Sequence, residues 1–152
     1  MGKRVLIVNG PNLNLLGLRE NSIYGDMTLD KLNDIICEKA GQLNLSVEFY
    51  QSNYEGGIID KIHGAKGTAD IIIINPGAYT HYSYAIRDAI KAVEIPAIEI
   101  HISNIHCREE FRKTSVIAPV CMGQISGLGT KGYLVALYAA AQMISGGNKN
   151  EL

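Results

Sequence analysis

Four consecutive isoleucines, Ile71 to Ile74, follow Asp70 near the middle of the chain. A strand that faces water on one side alternates apolar and polar residues, whereas this run places apolar side chains on both faces. Such a run is typical of a central strand in a parallel sheet that has helices packed on both faces. We therefore predict a layered α/β protein with this run in the middle of its sheet.

Short β-branched runs and amphipathic segments alternate along the rest of the chain. Apolar residues three and four positions apart predict helices, and short runs rich in Val, Ile and Phe predict strands. The predicted strands are Arg4 to Asn9, a segment around Val47 and Phe49, Ile71 to Ile74, Ala97 to Ile102, and the second half of Val116 to Ile125. The predicted helices are Thr28 to Leu43, Ile58 to about Gly67, Ala85 to Val93, a short polar helix around Arg108 to Arg112, and Thr130 to Ser145.

This alternation indicates a three-layer sandwich around a parallel sheet of five strands. Right-handed crossovers leave few topologies, and we prefer the flavodoxin-like strand order 2-1-3-4-5. The chain has 152 residues, of which 47% are apolar and 19% charged, which suits one domain with its own core. We expect a single catalytic domain over residues 1–152, ending in a short flexible tail.

The charge and cysteine content exclude several classes of protein. The 14 Lys and Arg residues against 15 Asp and Glu residues leave a net charge of −1, so the basic excess of a nucleic-acid or membrane-surface binder is missing. No apolar run approaches the ~20 residues of a membrane-spanning helix, and the apolar stretch after Arg4 is too short for a signal peptide. The three cysteines form no CxxC pair, so we expect a cytoplasmic protein without disulfides or a zinc ribbon.

Polar residues follow the predicted strands, at the edge where an open parallel sheet binds its ligands. Asparagines, hydroxyl residues and histidines are frequent in segments 9–14, 51–54, 75–81 and 101–104, and glycines in 127–129. These segments contain no carboxylate cluster that would bind a metal. The pattern predicts a site that holds a neutral or anionic, polyhydroxylated small molecule by hydrogen bonds.

Two pairs of residues suit acid–base chemistry. Arg19 precedes Tyr24 by five residues in a long polar loop, and a nearby guanidinium is the natural way to make a tyrosine a base near neutral pH. The alternative is a solvated loop with a surface tyrosine. Glu99 and His101 share one face of a strand, where a carboxylate would orient the imidazole and favour its protonated form as a general acid. The alternative is a strand-end histidine that bonds a backbone carbonyl.

Three further features have two interpretations each. His81 and Asp88 lie seven residues apart, on roughly one face of the third predicted helix region, and Asp88 is alternatively half of a solvated pair with its neighbour. Arg108 and Arg112 form either a charged helix face or cations that reach over the strand ends. The segment Gly127 to Gly132 matches G-x-G-x-x-G but follows the last strand, so we interpret it as turns instead of a dinucleotide site. The spacing of the histidines and cysteines fits no standard zinc signature.

Several longer motifs occur in order along the chain: Gly10 to Gly17, Arg19, Ile23 to Gly25, Gln51 to Asn53, Asn75 to His81, Glu99 to Asn104 and Arg108 to Arg112. Together they resemble the motifs of the type II 3-dehydroquinate dehydratases over essentially the full length. The resemblance implies a flavodoxin-like fold, no metal or organic cofactor, and twelve subunits assembled as four trimers. It also implies the loss of water from 3-dehydroquinate to give 3-dehydroshikimate.

The resemblance also implies roles for individual residues. Tyr24 would remove a proton from C2 of the substrate. Arg19 would lower the pKa of Tyr24 and hold closed the lid, which is the long polar loop of residues 17–26. Asn12 would place a water or donor at the enolate oxygen, and His101, oriented by Glu99, would protonate the departing C1 hydroxyl. The residues implied in substrate binding are Asn75, Ile102 and Ser103 for the carboxylate and nearby hydroxyls, His81 and Arg112 for ring hydroxyls, and Asp88 from a neighbouring subunit.

The chain departs from the family pattern at a few positions. Tyr54 and Gly57 stand where His and Glu are usual, and Cys107 stands where a small residue such as Ala is common. Two other functions compete on the same fold, a flavin- or nucleotide-binding module and a non-catalytic scaffold. Against the first, the loop after the first strand holds Pro11 and Asn12 in place of a glycine run. Against the second, the base and acid that the resemblance implies are both present.

Overall fold

The isoleucine run forms the third of five parallel strands in the computed structural model, which describes residues 2–18 and 26–145. The strands are β1 (Lys3–Asn9), β2 (Leu45–Gln51), β3 (Ile71–Asn75), β4 (Ala97–His101) and β5 (Gly123–Ser126). The helices are α1 (Leu29–Gln42), α2 (Glu55–Gly64), α3 (Tyr84–Val93) and α4 (Lys131–Ser145). All neighbouring strands are parallel and their order is β2-β1-β3-β4-β5, which confirms the predicted flavodoxin-like topology.

The side chains of β3 alternate between two hydrophobic layers. Ile71 and Ile73 pack in the cluster that includes buried residues of α1 and α4. Ile72 and Ile74 pack in the cluster that includes buried residues of α2 and α3. All four are fully buried, and burying one such side chain stabilises a fold by about 1.5–3 kcal/mol. The helices on both faces therefore explain why this strand contains no polar residue before Asn75.

Side-chain caps place the starts of two helices close to their predicted positions. The hydroxyl of Thr28 accepts a hydrogen bond from the Lys31 amide at 3.3 Å at the start of α1. The hydroxyl of Ser83 accepts one from the Ile86 amide at 3.1 Å at the start of α3. Each cap satisfies an amide that has no partner within its own helix. At its other end α3 stops at Glu94, whose φ of 59° is left-handed.

Short 3₁₀ helices form the loops at the carboxyl edge of the sheet: Leu13–Leu15, Gly77–His81, Ile105–Cys107, Glu110–Lys113 and Ala118–Val120. The prediction of one polar helix around Arg108 to Arg112 is wrong, because Arg108 lies in extended backbone between two of these turns. Asn104 starts the first turn by accepting a hydrogen bond from the His106 amide at 3.1 Å.

Gly10 brings the loops after β1 and β3 into contact. A Cβ atom at this position would lie 2.5 Å from the carbonyl oxygen of Pro76, so a larger residue would push the two loops apart. The Gly10 amide also donates a hydrogen bond to the Asn75 carbonyl at 2.8 Å. Within the described part of the chain, no helix has the length and apolar content needed to cross a membrane.

Candidate active site

A pocket of about 210 Å³ opens at the carboxyl ends of the central strands, where the sequence predicts a site. Loops after β1, β3 and β4 form its walls. The residues singled out from the sequence that line it are Asn12, Asn75, His81, His101, Ile102, Ser103 and Arg112. Arg108 lines it as well, and no acidic side chain of the described residues does, so the pocket suits an anionic ligand.

His101 and Glu99 form a buried pair at the end of β4. The His101 Nε2 atom lies 2.7 Å from Glu99 Oε1, which is a hydrogen bond between an imidazole and a carboxylate. Glu99 has no exposed surface, and His101 is 6% exposed and lines the pocket. The two side chains meet because alternate residues of a strand point to the same face, as the sequence predicts. His101 therefore presents an oriented ring to the pocket, with a carboxylate behind it.

Glu99 accepts further hydrogen bonds that the sequence analysis missed. The hydroxyl of Thr80 donates to Oε1, the hydroxyl of Ser115 lies 2.9 Å from Oε1 and 3.0 Å from Oε2, and Gln124 Nε2 donates to Oε2 at 3.0 Å. Gln124 faces Glu99 in the register between β4 and β5, which only the folded sheet reveals. Ser115 carries no signal in the sequence either, since it reaches Glu99 from an irregular segment.

The buried carboxyl of Glu99 is held in its ionised form. Burial by itself would raise the pKa of Glu99, because an anion loses its hydration in the protein interior. The hydrogen bonds from His101, Thr80 and Ser115, together with the positive charge of His101, outweigh that effect and hold the pKa below its ordinary value of 4.5. A stable carboxylate at this position accepts the hydrogen bond of the neighbouring imidazole and fixes the orientation of its ring.

A second histidine lies beside the first. The ring of His81 is stacked against that of His101, with 6.5 Å between the ring centres and 17° between the ring planes. His81 Nδ1 donates to the Thr114 carbonyl at 2.8 Å. Burial lowers the pKa of His81 below its ordinary value of 6.5, and the charges of His101 and Arg112 act in the same direction, against the hydrogen bond to Thr114. The neutral imidazole is therefore favoured here, and it is a hydrogen-bonding group for the pocket.

The expected common helix face for His81 and Asp88 is wrong. His81 ends the 3₁₀ helix Gly77–His81, whereas Asp88 lies on α3, which starts only at Tyr84. The change of helix type between them removes the two-turn relationship that the spacing suggested. Asp88 is exposed on α3 and does not line the pocket of its own chain.

Two arginines supply positive charge at the rim of the pocket. Arg108 Nη1 donates to the Ser103 hydroxyl at 3.3 Å. Arg112 pairs with Glu109, and its guanidinium lies over the Phe111 ring, 4.8 Å from the ring centre. Of the two interpretations of these residues, the structure supports cations that reach over the strand ends, since both line the pocket.

Hydrogen bonds from the second strand hold the loop that carries Asn12. Asn12 has a left-handed backbone with a φ of 68°, and its amide donates to Asn53 Oδ1 at 3.0 Å. Gln51 Nε2 donates to the same oxygen at 3.2 Å and to the Gly10 carbonyl at 3.1 Å. Asparagine tolerates this backbone conformation better than most residues. The Gln51 and Asn53 side chains therefore explain one part of the motif that follows the second strand.

The glycine segment after β5 supports the backbone beneath the pocket. The Gly127 amide donates to the His101 carbonyl at 3.2 Å, and the Gly129 amide donates to the Ile102 carbonyl at 3.0 Å. Both glycines have positive φ values, 86° and 62°, which other residues adopt only at a cost. This supports the interpretation of the segment as turns.

Arg19 and Tyr24 lie outside the described residues, so their predicted roles rest on the sequence. In residues 2–18 and 26–145, no three or more His, Cys, Asp or Glu side chains form a group that could hold a metal ion. Tyr54 is 78% exposed and does not line the pocket. Gly57 lies where a Cβ atom would be 2.8 Å from the Tyr50 hydroxyl and 3.0 Å from the Ser52 hydroxyl, so a larger residue there would require these side chains to shift.

The fold and the pocket together define a small-molecule enzyme of the flavodoxin-like α/β class. Comparison with known proteins narrows that class. The family model described as class II dehydroquinase matches residues 3–141. The 3-dehydroquinate dehydratase of Caldicellulosiruptor saccharolyticus is 64% identical over 143 residues, which cover 93% of this chain and 99% of that protein.

Solved structures agree with the sequence comparison. The type II dehydroquinase of Butyrivibrio crossotus is 55% identical with a TM-score of 0.89, covering 91% of this chain and 97% of that one. The type II dehydroquinase of Propionibacterium acnes is 45% identical with a TM-score of 0.90, covering 93% of this chain and 98% of that one. The chain is therefore an enzyme that belongs to the class II dehydroquinase family.

Proposed function

We propose that this chain removes water from 3-dehydroquinate to give 3-dehydroshikimate, a step of the shikimate pathway to the aromatic amino acids. The observation that carries the proposal is the buried Glu99–His101 pair at the wall of a pocket whose described lining has cationic and amide side chains but no acidic one. Such a pocket suits an anionic, hydroxylated substrate, and the oriented imidazole is a general acid for a departing hydroxyl. The names of the relatives agree with this activity.

In the first step Tyr24, as a tyrosinate, takes the proton from C2, next to the C3 ketone. The electron pair of the broken C–H bond moves toward the carbonyl and forms an enolate, whose oxygen is stabilised by a water or donor that Asn12 positions. Arg19, five residues before Tyr24 in the sequence, would lower the cost of the tyrosinate, since a cation close to a phenolate favours its charged form. Asn12 lies in the pocket, which supports its assignment.

In the second step the enolate re-forms the ketone and its electrons make the C1–C2 double bond. The C1–O bond breaks, and His101 donates a proton to the departing oxygen, which leaves as water. The carboxylate of Glu99 stabilises the imidazolium until that moment. Tyr24 then returns its proton to His101, directly or through water, so the enzyme is restored.

The remaining lining residues would bind the substrate in a fixed orientation. The Ile102 and Ser103 backbone, the Ser103 hydroxyl and Asn75 hold the carboxylate and nearby hydroxyls, while His81 and Arg112 hold ring hydroxyls. All five line the same pocket, and the packing around the buried Asn75 and Ile102 restricts the movement of these two residues. Fixed substrate contacts of this kind raise the rate by removing unproductive orientations.

The assembly forms a second part of the proposal. Asp88 is exposed on α3 and away from the pocket of its own chain, so it is available to the site of a neighbouring subunit. We propose a cytoplasmic homododecamer, built as four trimers from single-domain chains, in which an isolated monomer has low activity. Neither a metal ion nor an organic cofactor takes part in the proposed steps.

The experiment that tests the function follows ultraviolet absorbance after purified protein is mixed with 3-dehydroquinate in the presence of a chelator. The double bond conjugated to the product's carbonyl absorbs where the substrate does not. A steady rise in absorbance supports dehydration without an added metal. A flat trace from a folded and assembled sample contradicts the proposal, and a yellow protein or nucleotide binding would favour the flavin- or nucleotide-binding alternative.

A further inference from the structure

Three uncharged side chains from three different elements converge on the carboxyl group of Glu99. Thr80 comes from the 3₁₀ helix Gly77–His81, Ser115 from the segment beyond Glu110–Lys113, and Gln124 from β5. We propose that these three residues are positioning residues of the reaction, which hold Glu99 as an ionised carboxylate and thereby hold His101 ready to donate a proton. The inference rests on the proposed function, because it assigns a purpose to the general acid named there.

The Ser115 hydroxyl has the Glu99 carboxylate as its nearest acceptor, at 2.9 Å and 3.0 Å, with the Thr80 hydroxyl oxygen next at 3.1 Å. Its oxygen accepts hydrogen bonds from the Ile117 amide at 3.1 Å and the Ala118 amide at 2.9 Å. A hydroxyl has two lone pairs and one proton, so with both lone pairs engaged it acts toward Glu99 only as a donor. A protonated Glu99 carries its proton on one of two oxygens that both face donors, so at least one of those hydrogen bonds would be lost, whereas a carboxylate accepts all of them. The donors on both oxygens together therefore favour the ionised form.

Thr80 and Gln124 complete the set of donors on both carboxylate oxygens. Thr80 is fully buried, and its carbonyl accepts a hydrogen bond from the Val116 amide at 2.8 Å, which fixes the two segments that bring Thr80 and Ser115 together. Gln124 lies opposite Glu99 in the register between β4 and β5, and donates to Oε2. With His101 and Thr80 on Oε1, Gln124 on Oε2 and Ser115 within reach of both, the carboxylate has a fixed orientation.

Thr80, Ser115 and Gln124 are uncharged donors, so they hold the Glu99 carboxylate without neutralising its negative charge. In the described residues, His101 is the one ionisable basic side chain that pairs with Glu99. A lysine or arginine in place of these donors would neutralise the carboxylate and weaken its attraction for an imidazolium. Neutral donors stabilise the anion while its full charge remains available to His101. Two other ionisable groups lie near the pair: His81, which is stacked on His101, and Cys121, whose pKa is raised by burial and by the negative charge of Glu99. Arg108 and Arg112 line the same pocket as His101.

The test uses Thr80→Val and Ser115→Ala, which each remove a donor to Glu99 with little change of volume; Ser115→Ala also removes the side-chain acceptor of the Ile117 and Ala118 amides. Matched controls are Thr68→Val and Ser46→Ala, which make the same changes at exposed hydroxyls that donate to backbone carbonyls. Thr80→Ser and Ser115→Thr restore the donors. Two quantities are measured against pH: the NMR chemical shift of the Glu99 carboxyl carbon in the free protein, and kcat and KM for 3-dehydroquinate.

We expect the midpoint of the Glu99 titration to rise by roughly one pH unit in Thr80→Val and Ser115→Ala, since a hydrogen bond to a charged group is lost. The acid limb of kcat should move in the same direction, and kcat at neutral pH should fall by roughly 10-fold to 100-fold through loss of orientation. KM should stay within about two-fold, because none of these side chains lines the pocket. Thr80→Ser and Ser115→Thr should recover most of the loss.

The inference is overturned if the Glu99 midpoint and the acid limb in the two variants equal those of the controls, even where kcat falls, because that fall would then be a general structural effect. If Thr80→Val does not fold, Gln124→Met tests the same point at an exposed position, with a smaller shift expected. If the unmodified protein does not dehydrate 3-dehydroquinate, the proposed function fails, and the NMR titration still shows whether the donors set the ionisation of Glu99.

Discussion

Tyr133 and Asn75 form a buried hydrogen bond between α4 and the end of β3, with 3.1 Å between the Asn75 Nδ2 and Tyr133 Oη atoms. The Tyr133 hydroxyl in turn donates to Asn9 Oδ1 at 2.6 Å. Asn75 Oδ1 accepts a hydrogen bond from the Gly77 amide at 3.2 Å, so both ends of the amide are held. Tyr133 does not line the pocket, but its hydroxyl helps to orient the Asn75 side chain, which does.

Replacing Tyr133 with Phe should reduce both stability and substrate binding. It leaves the Asn9 and Asn75 side chains each without one buried partner, a loss of about 1–3 kcal/mol. We expect KM for 3-dehydroquinate to rise several-fold with a smaller change in kcat, since Asn75 is a proposed binding residue. Denaturant unfolding and steady-state kinetics measure the two effects. Tyr138→Phe, an exposed position on the same helix, is the control, and equal behaviour of the two variants would contradict the prediction.

Replacing Tyr24 with Phe should abolish nearly all turnover and leave the fold intact. The variant lacks the hydroxyl that would accept the C2 proton, but it keeps the ring. The absorbance assay for the product and the oligomeric mass of the variant are the two measurements. A variant with near-normal rates would show that another group is the base.

Replacing His101 with Ala should reduce turnover by ~10²–10⁴-fold, which is typical of the loss of a general acid. The variant also leaves Glu99 as a buried carboxylate without its charged partner, so some loss of stability accompanies the effect. His106→Ala, at an exposed histidine of the 3₁₀ helix beyond β4, is the matched control. If the His101 variant has an unchanged rate, the acid lies elsewhere in the pocket.

The free energy of unfolding should decrease as the pH falls, in two windows. The pKa of His81 is lowered in the folded protein, so the unfolded chain takes up a proton first as the pH falls below 6.5. The pKa of Glu99 is also lowered, so its contribution is present above 4.5 and is lost as the pH falls below that value. Unfolding curves at several pH values test this. Glu99→Gln should flatten the lower window, and Glu38→Gln, at an exposed site, should not.

The three cysteines should differ in their reactivity toward an alkylating reagent. Burial and the negative charge of Glu99 raise the pKa of Cys121 to about 12, so the reactive thiolate is scarce at mildly alkaline pH. Cys37 and Cys107 are exposed. We expect Cys121 to react at least roughly 100-fold more slowly than the exposed pair, as measured by mass spectrometry of labelled peptides. Similar alkylation rates for all three cysteines would contradict a raised pKa for Cys121.

The periodicity of the sequence was sufficient to predict the layers of the fold and the pairing of Glu99 with His101. The isoleucine run predicted a strand covered on both faces, and the alternation of Glu99 and His101 predicted that their side chains share a face. Both relationships are local, since they depend on a repeat of two residues along one strand. The short 3₁₀ turns were missed because three or four residues are too few to show a period, and Arg108 was placed on a helix for that reason.

The amino-acid sequence by itself determined the parallel α/β class, the edge of the sheet where the site lies, and the residues that form the motifs. The tertiary structure decided which distant side chains support them: Ser115 and Gln124 on Glu99, Thr114 on His81, and Tyr133 on Asn75. These contacts join segments that are far apart in the chain, and no periodic pattern encodes them. They arise only when the packing of helices and loops against the sheet brings buried polar groups within hydrogen-bonding distance.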